Sequence, residues 1–253
     1  MATSTRPAEL FLSPDHDPIA VGIKVGDLVH ATRIVGSSPE SGEVGADLER
    51  QLGLAYANMQ SLVESTGGSV DNIAQVSFFL KRFEDRAAIN DGWVAMFPDE
   101  RDRPTYKFMA SDLPDNLLVQ MEMFAVLGAR RRVVNIPGVA HTNPIPMGVR
   151  IGQYAFSSRI LPFDPATGKP PQGFERQAEV VFGNVRAFLN AAEVSPADVT
   201  QARIFILDRA LLPAVEPHWT ALFPDAARQP VRHIVKYDST PALQVYVEVI
   251  AEI

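Results

Sequence analysis

"GDLVHATRI" (26–34) and "GQYAFSSRI" (152–160) are one motif written twice, 126 residues apart, with Gly26 answering Gly152 and Arg33 answering Arg159. The register then holds without a gap. "LERQ" (48–51) falls on "FERQ" (174–177), Asn58 on Asn184, Trp93 on Trp219, "MFP" (96–98) on "LFP" (222–224), Pro104 on Pro230, Asp112 on Asp238 and Glu122 on Glu248. Chance similarity does not keep one offset across a whole half. The chain therefore reads as two copies of one domain, 1–130 and 131–253, joined near "RRRVVNIPGVAHTNP" (130–144), where a charge run and prolines mark a boundary.

Each copy has the same plan. An apolar strand follows the paired glycine, and a turn rich in Gly, Ser and Pro ("GSSPESGE", 36–43; "PFDPATGK", 162–169) reverses the backbone. In "LERQLGLAYANMQSLVES" (48–65) and "FERQAEVVFGNVRAFLNAA" (174–192) apolar residues recur at three and four, which predicts a helix with one apolar face. "IAQVSFFL" (73–80) and "VTQARIFIL" (199–207) read as strands. A second helix around Trp93 or Trp219 ends at "FPD", and a final hairpin is expected to include "LLVQMEMFAVL" (117–127) or "ALQVYVEVIAEI" (242–253). The helices should cover one face of the sheet, leaving the other to be covered by a second copy of the same sheet.

Composition narrows the function classes. At 253 residues, 46% apolar and 21% charged, the chain is ordinary for a globular protein. Its longest apolar runs are strand length, and "MATSTRPAEL" carries no apolar segment, so no membrane partner, no secretory signal and a cytoplasmic location are expected. The absence of cysteine removes disulfides, thiolate nucleophiles and the common zinc sites. A net charge of -7, with "RRR" (130–132) as the one short basic cluster, argues against a nucleic-acid partner. His16, His30, His141, His218 and His233 show no ligand spacing, "DHD" (15–17) reads as a polar loop, and no Gly-rich phosphate loop follows a strand; no metal and no cofactor are expected.

The stretch "QPVRHIVKYD" (229–238) sets an arginine, Arg232, in an otherwise apolar strand. A guanidinium cannot be deprotonated and is costly to bury alone, so Arg232 implies a salt bridge or a waiting anion. His233, next along the strand, should face the opposite way.

In order and spacing, "VGDLVHATRI", "SGE", the Gln and Asn of the first helix, an apolar strand, "FP", "RP", "LP" and a last strand with Glu resemble the Rid/YjgF family of imine deaminases. The second copy matches through "IGQYAFSSRI", "DPATGK", "ALFPD", "PVR" and "VEVIAE". The resemblance covers nearly the whole chain, twice. It implies an α+β fold of two tandem chorismate-mutase-like domains, each a mixed sheet with two helices packed on one face. It also implies a homo-oligomer, trimer favoured and dimer possible, with ligand sites in clefts between domains. The implied chemistry is hydrolysis of a small carboxylate-bearing imine or enamine, such as 2-aminoacrylate. In such chemistry an arginine two residues after a proline grips the carboxylate, an acid activates water, and groups near a Ser-Gly turn hold the rest.

Carried over residue by residue, the pattern gives Arg232 as the anchor. At the 126 offset Arg232 falls on Tyr106; counting back from "LP" places Thr105 there. Either way the first copy has no arginine, although Lys107 and Arg103 are near, and its site reads as degenerate. The family's glutamate two residues before the last-strand Glu reads Gln120 and Tyr246 here. The Ser-Gly pair reads Ala31-Thr32 and Ser157-Ser158, the early Tyr reads Ile19 and Ile145, and an Asn of the second helix survives as Asn90 but becomes Glu216. The candidate catalytic residues are Arg232, Glu216 and Glu248, with Ser157, Ser158, Arg159, Tyr246, Tyr106 and Lys107 as substrate-binding candidates. Arg33 and Arg159 suit structural salt bridges, for which Glu122 and Glu248 are available partners.

Two function classes are open: a hydrolytic deaminase of a small imine or enamine, and a non-catalytic small-ligand binder or chaperone-like assembly. A weaker variant of the first is a deaminase of a larger, 2-aminomuconate-like substrate, with Tyr106, Tyr246 and Trp219 lining its cleft.

Overall fold

The computed structural model describes residues 8–12, 20–237 and 242–253; Ile19, the His16 segment 15–17 and Asp238 lie outside them. The chain divides into two compact units, Met1–Arg131 and Arg132–Ile253. In the first, strands β1 (Ala8–Leu12), β2 (Ala20–Val25), β3 (Leu28–Val35), β4 (Ile73–Leu80), β5 (Thr105–Ala110) and β6 (Val119–Val126) accompany helices α1 (Leu48–Ser65) and α2 (Ile89–Met96). Strands β7 (Arg131–Val134), β8 (Gly148–Ile151), β9 (Tyr154–Ser157), β10 (Val199–Ile206), β11 (Val231–Lys236) and β12 (Val245–Glu252) form the second sheet, with helices α3 (Phe174–Ala192) and α4 (Leu212–Leu222).

The sheet orders are β1-β2-β3-β6-β4-β5 and β7-β8-β9-β12-β10-β11, the same path drawn twice. Both sheets are mixed: β4 and β5, and β10 and β11, are parallel, while the other described pairings are antiparallel. The fold is the expected α+β one, but the expected final hairpin is absent. β4 lies between β5 and β6, and β10 between β11 and β12, so the last two strands of each copy never pair. The apolar periodicity of β6 and β12 marks them as strands without saying which neighbour they take.

Local chemistry explains the elements. Val25 pairs with Leu28 and Ile151 with Tyr154, leaving two-residue turns at Gly26-Asp27 and Gly152-Gln153. Both glycines have positive φ (64° and 56°), a region that glycine enters without a Cβ penalty. Helix α1 starts where the Asp47 side chain accepts from the Arg50 N–H at 2.8 Å, and it buries Leu52, Ala55, Tyr56, Met59 and Val63. Helix α3 does the same with Ala178, Val181, Phe182, Val185, Phe188 and Leu189 against Ala202, Ile204, Val247 and Val249 of the sheet.

Paired amides lock each copy. Asn58 donates to the carbonyls of Val35 and Ser37, both at 2.9 Å, and Asn184 to those of Leu161 and Phe163 at 2.8 and 2.9 Å. Gln51 and Gln177 are buried at the start of their helices, each donating to two carbonyls and accepting one backbone N–H, from Leu118 and Gln244 respectively. The repeated Gln and Asn thus clamp loops onto α1 and α3, leaving the chemistry to other positions. Truncating Asn184 to Ala strips donors from two carbonyls, so we expect a loss of about 1–3 kcal/mol in urea unfolding.

Candidate functional site

Register decides which side chains can meet. Residues paired across neighbouring strands share a sheet face, and the next residue along takes the other. Arg232 on β11 pairs with Ala202 on β10, which pairs with Val249 on β12; Ala202 and Val249 belong to the helix-side core. Arg232 therefore projects to the helix side of an edge strand. There its Nη1 lies 2.9 and 3.0 Å from the two carboxylate oxygens of Glu216 on α4, and its guanidinium carbon sits 4.8 Å from the ring centre of Trp219, one turn on. The Trp219 indole is fixed in turn, donating to Gln229 at 3.1 Å while Gln229 donates to the Phe223 carbonyl. The Arg232 and Glu216 side chains keep 29% and 43% of their exposure.

The first copy repeats this geometry without charge. The register makes Tyr106 the counterpart of Arg232, since Tyr106 pairs with Val76 as Arg232 pairs with Ala202. The Tyr106 hydroxyl donates to the Asn90 Oδ1 at 2.5 Å, and its ring meets Trp93 edge-on at 5.0 Å. Asn90 stands where Glu216 does, and Trp93 where Trp219 does, so an ion pair over indole becomes a phenol–amide pair over indole. Burial raises the Tyr106 pKa further, and only 2% of the residue is exposed. Neither candidate cation replaces the arginine. Arg103 donates to the carbonyls of Phe97 and Pro98, and Lys107 faces the other way.

Glu248 does not join Arg232. It pairs in register with Arg203 of β10, which pairs with His233 of β11, so it lies on the face away from the helices. There Arg159 Nε donates to Glu248 Oε1 at 3.2 Å, and Arg203 Nη1 is 3.8 Å from Oε2. The Arg159 guanidinium is sandwiched between Phe205 and Tyr237, 4.6 Å from each ring centre, and Tyr237 meets the buried Tyr246 edge-on. The expected structural ion pair is thus present in the second copy, almost wholly buried. In the first copy Glu122 accepts instead from His30 Nε2 at 2.8 Å and from Ser77 at 3.0 Å. Burial would raise the Glu122 pKa, but the His30 bond, the Lys107 charge and the Ser77 bond together hold it below the usual carboxylate range.

Ser157 and Ser158 are fully buried. The Ser157 Oγ accepts from the Val249 N–H at 2.8 Å. Ser158 Oγ donates to the Met147 carbonyl at 2.9 Å, so the 2.6 Å contact with His141 makes the imidazole Nε2–H the donor there. Burial, then the Arg159 charge, pushes the His141 pKa down to about 4. The sequence had offered His141 only as a histidine without ligand spacing, because its partner Ser158 is brought to it by the loop after the domain boundary. Among the described residues no group of three or more His, Cys, Asp or Glu could hold a metal ion, and no helix is long and apolar enough to cross a membrane.

The candidates therefore fall into three places: Arg232 with Glu216 and Trp219; Glu248 with Arg159, Arg203 and the Tyr237–Tyr246 edge; and the serines on and just beyond β9. Two outcomes follow. Glu248→Ala removes the carboxylate that buried Arg159 shares with Arg203, and we expect it to destabilise the second copy by about 3–5 kcal/mol, read by denaturant unfolding. His141, held neutral when folded, lets the unfolded chain bind the proton first; stability present above about pH 6.5 should fall as pH drops toward about 4, and His141→Gln should flatten that dependence.

A sequence model of the Endoribonuclease L-PSP family (Ribonuc_L-PSP) matches this chain twice, over residues 17–127 and 139–253. The chain is 28% identical over 109 residues to the RutC family protein PYRAB12510 of Pyrococcus abyssi, a match spanning 43% of this chain and 85% of the relative. It is 26% identical over 130 residues to the 2-iminobutanoate/2-iminopropanoate deaminase of Escherichia coli (strain K12), spanning 50% of this chain and 95% of that one. The crystal structure of RidA from the Antarctic bacterium Psychrobacter sp. PAMC 21119 aligns with a TM-score of 0.45 at 26% identity, covering 48% of this chain and 99% of that one. The chain therefore belongs to the Endoribonuclease L-PSP family, the Rid/YjgF proteins, as a tandem duplication of the family domain.

Proposed function

We propose that the chain hydrolyses a small carboxylate-bearing imine or enamine, with Arg232 of the second copy as the carboxylate anchor. The observation that carries this reading is the half-exposed Arg232–Glu216 pair over Trp219, set against its buried neutral counterpart in the first copy. The relationship to a 2-iminobutanoate/2-iminopropanoate deaminase supports the reaction class.

The geometry suits the task. Only Nη1 of Arg232 engages Glu216 among the described residues, so Nε and Nη2 are available to a carboxylate as a two-point fork. An exposed ion pair is worth about 0–1 kcal/mol, so sharing the guanidinium with a ligand costs little. With the carboxylate held, the imine carbon lies within reach of a water that Glu216 orients. Water adds to the C=N carbon, the π electrons move to nitrogen, and Glu216 relays the water proton to that nitrogen. Collapse of the carbinolamine breaks the C–N bond, leaving a 2-ketoacid and ammonia. Glu248 is assigned no step, because it faces away and is held by two arginines.

Ser157 and Ser158 stand on or just past β9, three strand spacings from β11, about 14 Å away. A site that used both Arg232 and the serines would need a second chain, which is our reason for proposing a homo-oligomer, with a trimer favoured. A non-catalytic binder is the second reading, favoured by the family glutamate being Gln120 and Tyr246.

Ammonia release from imines generated in situ by an amino-acid oxidase separates the two. We expect Arg232→Ala to lower kcat/KM about 100-fold and Glu216→Gln to lower kcat by about 100-fold or more. A wild type no faster than Arg232→Ala would favour the binder.

A further inference from the structure

Two of the acid–arginine pairs in the second copy have contrasting surroundings. Arg159–Glu248 is sealed, its side chains 11% and 5% exposed, whereas Arg232–Glu216 stands open at an edge strand with 29% and 43%. The open pair presents a fixed positive and a fixed negative charge side by side, and Glu216 is the only ion-pair partner of Arg232 among the described residues. An arginine alone would attract anions in proportion to their charge. Glu216 cancels that field and adds a negative neighbour, so a second carboxylate on the ligand meets repulsion while a cationic nitrogen meets attraction.

We infer that this pair selects zwitterionic monocarboxylates, such as a 2-iminium acid with its carboxylate on Arg232 and its cationic nitrogen toward Glu216, and discriminates against dicarboxylates. The inference rests on the proposed role of Arg232 and sharpens it: of the substrate classes the sequence left open, the small amino-acid-derived iminium acid fits, and a 2-aminomuconate-like diacid does not. Hydrolysis converts the zwitterion into a ketoacid anion and ammonium, so the product loses its contact with Glu216 and leaves more readily than substrate. The first copy, with Tyr106 and Asn90 at these positions, offers neither charge and should take no part. Glu216 is thus the specificity-determining residue of the site, and Asn90 stands at its place in the first copy.

Trp219, under the guanidinium, provides the readout. The chain has two tryptophans, so two indole N–H resonances are expected, assignable by Trp93→Phe. Shifts of the Trp219 signal would be followed on titration with alanine as zwitterion, propionate as monoanion and succinate as dianion. We expect affinity to fall in that order, with alanine at least tenfold ahead of succinate. Glu216→Gln, close to isosteric, should erase the alanine advantage and strengthen succinate, while Arg232→Gln should abolish all three responses. If Arg232→Gln binds like the wild type, or the wild type answers to none of the ligands, the anchor role itself falls. If Arg232→Gln abolishes binding but Glu216→Gln leaves the order unchanged, the anchor stands and the selectivity assigned to Glu216 is wrong.

Discussion

A guanidinium that cannot shed its proton, set on the helix-covered face of a sheet, requires an anion, and the second copy supplies Glu216 from α4. That requirement organises the neighbourhood. Trp219 lies one turn on in the same helix, so charge pairing and stacking converge on one side chain, and Gln229 fixes the indole from the segment leading into β11. Where the requirement is lifted, in the first copy, Tyr106 and Asn90 pair instead, and the aromatic cluster of Phe78, Trp93 and Tyr106 is buried. Duplication kept the frame and separated the duties: one copy buries its version of the position, and the other leaves it open to solvent.

The opposite face of each sheet shows the same divergence on a conserved frame within the chain. Glu122 and Glu248 occupy equivalent places, yet His30, Ser77 and Lys107 surround the first, whereas Arg159 and Arg203 hold the second. Each copy thus keeps one acid on that face and finds its own donors. An acid recurring in both halves with exchanged partners is better explained by electrostatic satisfaction of the sheet than by one shared reaction, which separates it from Glu216, present in one half alone.

Much of this was legible before any coordinates. The single offset of 126 residues gave both domains, and β4, β5 and β6 recur at that offset in β10, β11 and β12 residue for residue. Alternation along the strand also foretold that Arg232 and His233 part company. Strand order was not legible: periodicity describes one strand at a time, while the insertion of β4 between β5 and β6 depends on how the helices pack. The candidate site was half legible. Glu216 stood out as the residue replacing Asn90, but its contact with Arg232 arises from the seating of α4 on the sheet edge. Glu248 was a candidate as a substitute for the family glutamate, whose place Tyr246 takes, and the cross-strand register to Arg203 sets it on the face away from Arg232. His141 gave no signal, since a lone histidine in a loop has no periodicity to betray its partner.

The claim at the centre is that Arg232 of the second copy is an anion anchor in addition to being half of an ion pair. A crystal structure of the chain with a bound small monocarboxylate tests it most directly. The account predicts the ligand carboxylate within about 3 Å of Arg232 Nε or Nη2, over the Trp219 ring edge and with Glu216 still in contact, and no equivalent density at Tyr106. A carboxylate bound elsewhere on the chain, with the Arg232–Glu216 pair shut off from solvent by an assembled neighbour, would contradict it.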